Sequence, residues 1–258
     1  MSQIQLNLDE ISLLAYKLVP KLLFIYTDME INNNVIYIFE KNINNSEFIN
    51  ATKPLNPTII YDEDQENPSV SQNLAQSRRD FDSRNLEVKV LGGDGLLNED
   101  TGSRCSVGFW AKSFSREDFS IVTAGHCYAS GEYSYYPWGS TNSSELIITG
   151  GAPVSNHNVH ICKSGYTTHL TCGRVYGLNG IALGNESEVM LYNLIITDFV
   201  SDYGDSGGSA FSFVSPQDLH SVVVNGVFNK IFKELDERDR YYELYLGKWW
   251  VHKNTIYP

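Results

Sequence analysis

The pattern of apolar and polar residues predicts a small α/β unit at the amino terminus, over residues 1–52. A mildly helical spacing of apolar residues precedes Pro20, which ends it. These apolar residues are Leu6, Ile11, Leu14 and Leu18. Two apolar runs follow, at residues 22–26 and 35–39, with three asparagines just before the second run. Because asparagine favours turns, the two runs predict a β-hairpin.

A polar stretch, residues 53–87, follows this unit. It contains three prolines, an acidic run at residues 62–64, and many serines, glutamines and asparagines. Such a composition buries too little apolar surface to offset the entropy lost on ordering the chain. We expect a linker here, and a place where cleavage would separate the amino-terminal segment from the rest.

From residue 88 onward, short apolar runs alternate with turn-forming residues, which is typical of an all-β sandwich or barrel. The predicted strands lie at residues 105–110, 119–123, 146–149, 174–178, 189–197, 209–214 and 221–227. This β-rich domain is expected to span 88–231. The final segment, 232–258, opens with many charged residues and predicts a solvated helix over part of its length.

Composition restricts the function classes. The chain has 258 residues, of which 42% are hydrophobic and 19% charged, as in ordinary globular proteins. No apolar run approaches the roughly 20 residues that a membrane span needs. The formal net charge of −12 argues against a nucleic-acid partner, because no basic face would offset the phosphates.

Two short motifs carry the chemistry. Thr123-Ala-Gly-His126-Cys places a histidine among small residues, and Gly204-Asp-Ser206-Gly-Gly places a serine in a glycine-flanked turn. A serine hydroxyl is a poor nucleophile until a neighbouring imidazole removes its proton. With both motifs in this order, the chain resembles the chymotrypsin-like serine peptidases, in their α-lytic protease and streptogrisin branch.

The resemblance implies a two-barrel chymotrypsin-like fold and a set of site residues. His126 would be the general base, Ser206 the nucleophile, and the N–H groups of Gly204 and Ser206 the oxyanion hole. Asp205 would tether the turn. Val200 would lie at the floor of the primary specificity pocket and favour an apolar substrate side chain. No cofactor is expected.

Four cysteines suggest two disulfides in an oxidising compartment. By resemblance, the pairs are Cys105 with Cys127 and Cys162 with Cys172, since the run from residue 162 to 173 is similar to the second-barrel bridge of the streptogrisin branch. The alternative is a zinc site in a dense cluster of histidines and cysteines. The cluster comprises His157, His160, Cys162, His169 and Cys172. Its spacing matches no zinc motif, so no metal is expected.

The amino-terminal unit also carries a resemblance. Residues 24–40 are similar to the end of a pro-region in the α-lytic-type peptidases, and residues 90–93 resemble the start of a mature peptidase, which implies a zymogen. The alternative is a small α/β domain of unrelated origin. The first ten residues do not read as a secretory signal. The family and the cysteines nevertheless favour an extracellular protein.

The third member of the catalytic triad is missing from its expected interval. Relatives carry an aspartate between the histidine motif and the Cys162 loop, but residues 128–161 contain no aspartate. Glu132 and Glu145 are the only acids there, and the interval is short by about two strands, which implies a shortened first barrel. Asp198 and Asp202 lie too close to Ser206 along the chain. Losing the acid costs about 10⁴ in turnover in a related enzyme.

Two functions follow from this pattern. The first is a monomeric serine endopeptidase acting on a polypeptide substrate, weakened by the absence of a recognisable acid. The second is a non-catalytic peptidase homologue that binds a peptide or a protein inhibitor in the same cleft.

Overall fold

The computed structural model describes residues 2–62, 90–112, 119–128, 133–136, 145–154, 156–184 and 190–229. Most of the predicted linker, Glu132 and the predicted carboxy-terminal helix lie outside these ranges. Within the described ranges, no helix is long and apolar enough to cross a membrane.

The amino-terminal segment contains the predicted helix and hairpin. Helix α1 (Gln3–Leu18) begins after Ser2, whose side chain accepts a hydrogen bond from the Gln5 N–H, and it ends before Pro20. The hairpin comprises β1 (Leu23–Asp28) and β2 (Asn33–Ile38). Both sequence predictions are therefore confirmed.

The predicted linker contains regular structure at its start. Helix α2 (Ser46–Thr52) leads into a short 3₁₀ helix (Lys53–Leu55) and then into β3 (Thr58–Tyr61). Strand β3 pairs in parallel with β2. The linker prediction is wrong for these residues, because pairing to a distant strand orders a segment whose own composition looked unstructured.

Two small sheets surround the histidine motif. The first has the order β5-β4-β8 and the second pairs β6 with β7. Their bounds are β4 (Gly95–Asn98), β5 (Arg104–Ser106), β6 (Phe109–Lys112), β7 (Phe119–Val122) and β8 (Tyr133–Tyr136). The predicted strand at 105–110 is thus two strands, and β8 was not predicted.

The serine motif belongs to a larger sheet of nine strands. Its later members are β9 (Ile147–Gly151), β10 (His160–Gly165), β11 (His169–Leu183), β12 (Met190–Thr197), β13 (Ser209–Ser215) and β14 (Asp218–Val227). The order is β3-β2-β1-β11-β10-β13-β14-β9, with β12 also pairing β11. The predicted strands from residue 146 onward are therefore all present.

The amino-terminal segment is continuous with this large sheet. Strand β1 pairs antiparallel with β11, with Leu23 opposite Leu183 and Ile25 opposite Ile181. The side chains of these strands and of Ile11 on α1 form one buried apolar cluster. A second cluster includes Ile161, Ile195, Phe199 and Phe228, and the backbone of Phe228 hydrogen bonds to Gly207 and Gly208 of the serine motif.

The predicted all-β class is confirmed: the fold is predominantly β with a small α/β segment at its amino terminus, and the two-barrel arrangement stays a prediction. The strands around His126 and those around Ser206 form separate sheets, so the two motifs meet where the sheets adjoin. Strand β9 pairs in parallel with β14 of the large sheet.

Candidate active site

The two motifs pack directly against each other. Gly207 follows the serine and has φ +94°, a conformation that favours glycine. A Cβ at this position would overlap Thr123 Oγ1 and the Ser106 carbonyl oxygen. Thr123 opens the histidine motif, so the serine turn approaches that motif closely and requires a glycine to do so.

Ser106, at the end of β5, joins the two motifs. It is fully buried, and its N–H donates to the Ser206 carbonyl oxygen at 2.6 Å. Its hydroxyl donates to the Gly204 carbonyl oxygen at 2.7 Å and accepts from the Tyr166 N–H at 2.8 Å. Thr123 Oγ1 donates to the Ser106 carbonyl oxygen at 2.9 Å. Sequence analysis missed this residue, whose only signal is its place after Cys105.

His126 lies in a single 3₁₀ turn (Gly125–Cys127) that follows β7. The disulfide between Cys105 and Cys127 ties this turn to β5. A ring nitrogen of His126 lies within 4.8 Å of both sulfurs, and Cys127 Sγ lies 3.6 Å from the Ser206 carbonyl oxygen. His126 and Ser206 therefore lie around one disulfide.

The environment of His126 disfavours its charged form. Partial burial lowers the pKa of the imidazole below its usual 6.5, and a side-chain hydrogen bond with Asn229 opposes that shift. No carboxylate among the described residues contributes to the shift.

Asp205, next to Ser206, anchors the serine turn. Its Oδ1 accepts from the N–H groups of Thr167 and Thr168, each at 2.9 Å. Its Oδ2 accepts from the Asp202 N–H at 2.8 Å and from Thr168 Oγ1 at 2.6 Å. A carboxylate that accepts this many hydrogen bonds fixes the loops around the turn.

Lys163, on β10, neutralises that carboxylate inside the protein. Both side chains are fully buried, and Lys163 Nζ lies 3.1 Å from Asp205 Oδ2. Nζ also donates to Thr168 Oγ1 at 2.5 Å and to the His169 carbonyl oxygen at 3.2 Å. Burial lowers the pKa of Lys163, and the charge of Asp205 opposes the shift. Sequence analysis missed Lys163. Its position directly after Cys162, within a predicted apolar strand, is the only sequence feature that indicates a buried charge there.

The acids considered for the triad have other surroundings. Glu145 is exposed and lies two residues before β9, whose first residue pairs with Ser221 near the start of β14. Asp198 accepts from the Arg174 N–H at 2.6 Å, and Asp202 accepts from the Tyr203 N–H at 2.6 Å. The strand after Glu145 pairs with β14, and its Ile148 packs against the apolar cluster that contains Ala124 and Cys127.

Val200, predicted at the floor of the specificity pocket, has a half-exposed side chain. Its carbonyl oxygen accepts from Thr171 Oγ1 at 2.7 Å. The backbone at this position is therefore tied to β11, and the pocket role stays a prediction.

The cysteines of the proposed zinc cluster form a disulfide. Cys162 and Cys172 lie opposite each other on β10 and β11 and are bonded, as the resemblance implied. Their sulfurs are not thiolates and cannot ligate zinc as such. Of the three histidines, His157 lies 4.0 Å from a carboxylate oxygen of Asp28, at the amino-terminal segment.

Comparisons with known proteins agree with the predicted resemblance. No protein-family model matches the sequence. Streptogrisin-C of Streptomyces griseus is 26% identical over 183 residues, which are 59% of this chain and 39% of that protein. Streptogrisin-A of the same organism is 28% identical over 175 residues, which are 55% of this chain and 56% of that protein. Serine protease 2 of Streptomyces fradiae is 28% identical over 156 residues, which are 48% of this chain and 88% of that protein. The chain thus spans about two fifths of streptogrisin-C and somewhat more than half of streptogrisin-A.

A search of solved structures returned the following proteases at low TM-scores. Thermobifida fusca Protease A has a TM-score of 0.45 and 20% identity, covering 62% of this chain and 91% of that one. Nocardiopsis Protease has a TM-score of 0.45 and 23% identity, covering 61% and 92%.

Proposed function

We propose that this chain, a relative of the streptogrisin-type bacterial serine proteases, is a serine endopeptidase with Ser206 as nucleophile and His126 as base. The observation that carries the proposal is the contact between the two motifs. Ser106 hydrogen bonds to the serine turn and to Thr123, and one disulfide lies beside both His126 and Ser206. A nucleophile and a base must be brought together in this way for acyl transfer.

The reaction would proceed by proton shuttling. Neutral His126 removes the hydroxyl proton as Ser206 Oγ attacks the carbonyl carbon of the peptide bond. The protonated ring then gives that proton to the leaving amine, and an acyl-enzyme remains. Water, activated by the same ring, attacks the ester carbonyl and releases the acid with regeneration of Ser206.

The oxyanion of the tetrahedral intermediate is assigned to the N–H groups of Gly204 and Ser206. The other N–H groups of the turn are engaged within the fold: Asp205 donates to Asp202, Gly207 to Phe228, and Gly208 to Asp205. Backbone donors held rigidly in this way stabilise developing charge by about 3 kcal/mol each. Gly204 has φ +99°, and a Cβ there would lie 2.5 Å from Thr167 Oγ1.

The proposed substrate is a polypeptide with an apolar side chain for the pocket that Val200 would floor. The chemistry uses no cofactor. Two disulfides are typical of an extracellular or otherwise oxidising compartment, and we place the protein there. We expect it to act as a monomer that is made as a zymogen.

A second function is favoured by one observation. No carboxylate among the described residues contributes to the pKa of His126, so the chain can also be a homologue that binds peptides without turning them over. This function predicts saturable binding of an apolar peptide with hydrolysis at the background rate.

The test is covalent labelling of the folded protein with a fluorophosphonate probe. We expect one adduct on Ser206, which is lost in Ser206→Ala and retained in Ser209→Ala, a matched change at a nearby buried serine. Absence of labelling in the unmodified chain would overturn the nucleophile assignment. Peptide binding without labelling would select the second function.

A further inference from the structure

We propose that Thr167 is a positioning residue for the oxyanion hole, because its hydroxyl fixes the peptide group that carries the Gly204 N–H. The inference rests on the proposed function, since it concerns one of the two N–H donors assigned to the oxyanion there. Thr167 lies in the turn between β10 (His160–Gly165) and β11 (His169–Leu183), outside both sequence motifs.

The peptide group between Tyr203 and Gly204 has a side-chain partner on its carbonyl oxygen. Thr167 Oγ1 donates a hydrogen bond to the Tyr203 carbonyl oxygen at 2.5 Å. In a planar trans peptide group, the carbonyl oxygen and the following N–H point in opposite directions. The contact therefore directs the Tyr203 carbonyl towards the β10–β11 turn and the Gly204 N–H away from it.

The second proposed donor, the Ser206 N–H, is fixed in the same way by the main chain. It belongs to the peptide group between Asp205 and Ser206, whose carbonyl oxygen accepts from the Gly208 N–H at 3.0 Å. Each donor peptide is thus held through its carbonyl oxygen, one by a backbone N–H and one by a hydroxyl. The hydroxyl is the contact that a substitution can remove without changing the main chain.

The peptide group before Gly204 needs such a contact because glycine does not restrict it. Gly204 has φ +99°, and glycine adopts positive and negative φ about equally well. Rotation of this peptide plane changes φ of Gly204 and ψ of Tyr203, so glycine offers little steric resistance to it. A rotated peptide would present a carbonyl oxygen to the oxyanion in place of the N–H donor. The hydrogen bond from Thr167 opposes that rotation.

Thr167 is itself held in place. Its N–H donates to Asp205 Oδ1 at 2.9 Å, and the buried carboxylate of Asp205 is paired with Lys163. A Cβ at Gly204 would lie 2.5 Å from Thr167 Oγ1, so the hydroxyl packs directly against this glycine. The donor peptide is therefore oriented before the substrate binds, which is what electrostatic stabilisation of a transition state requires.

The experiment compares Thr167→Val, Thr167→Ser and the control Thr149→Val. Valine keeps the shape of threonine without the donor, and serine keeps the donor. Thr149 Oγ1 also donates to a backbone carbonyl oxygen, that of Val222 at 3.1 Å, and this contact involves no residue of the serine motif. Urea unfolding gives the stability of each variant, and kcat and KM are measured on a peptide with an apolar residue before the cleaved bond.

A peptide trifluoromethyl ketone measures the oxyanion hole directly. Ser206 Oγ would add to the ketone carbon, its proton would pass to His126, and the ketone oxygen would become the bound anion. Binding of a non-reactive peptide to the same variants carrying Ser206→Ala gives the affinity without an oxyanion. The difference between the two affinities isolates the contribution of the donors.

We expect Thr167→Val to lower kcat about 10-fold or more, a part of the 10²–10³-fold loss that removal of a whole oxyanion donor causes. The affinity for the trifluoromethyl ketone should fall by a similar factor. KM and the affinity for the non-reactive peptide should change less than about 2-fold, because the oxyanion forms only in the transition state. Thr167→Ser should restore kcat, and Thr149→Val should leave it unchanged.

NMR reads the contact without any activity. In Ser206→Ala backgrounds, the carbonyl ¹³C resonance of Tyr203 should move upfield in Thr167→Val, because the carbonyl loses its hydrogen bond, and should return in Thr167→Ser. If Thr167→Val does not fold, Thr167→Ala lacks the same hydroxyl and is measured in its place.

A folded Thr167→Val chain with unchanged kcat and unchanged affinity for the trifluoromethyl ketone would overturn the inference. Labelling of Ser206 by the fluorophosphonate would then still support the proposed function. Absence of labelling in the unmodified chain would instead reject the proposed function and the oxyanion role together, even if the Tyr203 carbonyl resonance moves as expected.

Discussion

Lys163 Nζ lies 3.1 Å from Asp205 Oδ2, with both side chains fully buried and Asp205 directly preceding Ser206. A buried charge pair is tolerated because each ion satisfies the other and the remaining lone pairs and protons have further partners. Asp205 accepts four hydrogen bonds from Asp202, Thr167 and Thr168, so the pair connects β10 to the serine turn. The shape of the proposed oxyanion hole therefore depends on a cation three strands earlier in the sequence.

Replacing Lys163 by methionine should destabilise the protein by about 3–5 kcal/mol, because it leaves the carboxylate of Asp205 buried without a counterion. Labelling of Ser206 should fall as well, since the serine turn loses its anchor. Urea unfolding gives the stability, and the rate of fluorophosphonate labelling gives the state of the turn.

Two further variants make this prediction specific. Lys17→Met removes an exposed lysine of α1 and should change the free energy of unfolding by no more than about 0.5 kcal/mol. Adding Asp205→Asn to Lys163→Met removes the orphaned charge and should recover part of the loss. A double variant that is as unstable as the sum of the two single variants would show that the ions do not interact.

The two disulfides should contribute similarly to stability but differently to activity. In the chain-entropy view, bridges with sequence separations of 22 and 10 each contribute about 3 kcal/mol. Paired serine replacements at Cys105 and Cys127 should also abolish labelling of Ser206, because this bridge holds the turn that carries His126. The pair at Cys162 and Cys172 should leave more labelling at equal stability. Equal losses of labelling would argue against a positional role for the first bridge.

Acid should destabilise the protein partly through His169, at the β10–β11 turn. Burial lowers its pKa below 6.5, with the charge of Asp205 opposing the shift and that of Lys163 adding to it. Between the folded and the unfolded pKa, the unfolded chain binds more protons, so stability falls as pH drops through about 6.5. Asparagine suits the φ of 61° at this position.

His169→Asn should therefore lose less stability than the unmodified chain between about pH 7.5 and pH 5.5, as measured by urea unfolding at several pH values. His220→Asn changes an exposed histidine on β14 and serves as the control, which should follow the unmodified chain. Parallel stability curves for His169→Asn and the unmodified chain would show that His169 does not couple to folding.

The local patterns were sufficient to predict the elements and the two motifs. Helix α1 and the first hairpin depend on spacing and turn chemistry within a few residues, and both were found. Strand β3 was missed because it is ordered by parallel pairing with β2, twenty or more residues away. Tyr-rich β8 was missed because its short run shows little alternation, and it depends on β4 for pairing.

The parts of the site that were missed depend on long-range contacts. Ser106 meets Gly204 across 98 positions of sequence, and Lys163 meets Asp205 from a distant strand. Neither residue belongs to a recognisable motif, so only the folded arrangement gives them a role.

The amino-terminal segment should be part of the stability of the whole protein. Ile25 on β1 is fully buried, lies opposite Ile181 on β11, and shares an apolar cluster with it. Ile25→Ala removes buried apolar contacts between β1 and β11. It should lower the free energy of unfolding by about 2–5 kcal/mol. Ile31→Ala, at the exposed hairpin turn of the same segment, should lower the free energy of unfolding by less than about 0.5 kcal/mol.

Urea unfolding of both variants tests whether the segment and the β domain unfold together. If both variants unfold in a single transition, and only Ile25→Ala does so at a lower urea concentration, then β1 and β11 fold as one unit. An Ile25→Ala chain that loses α1 and the hairpin in a separate, earlier transition would instead show that the segment is docked on an independently stable β domain.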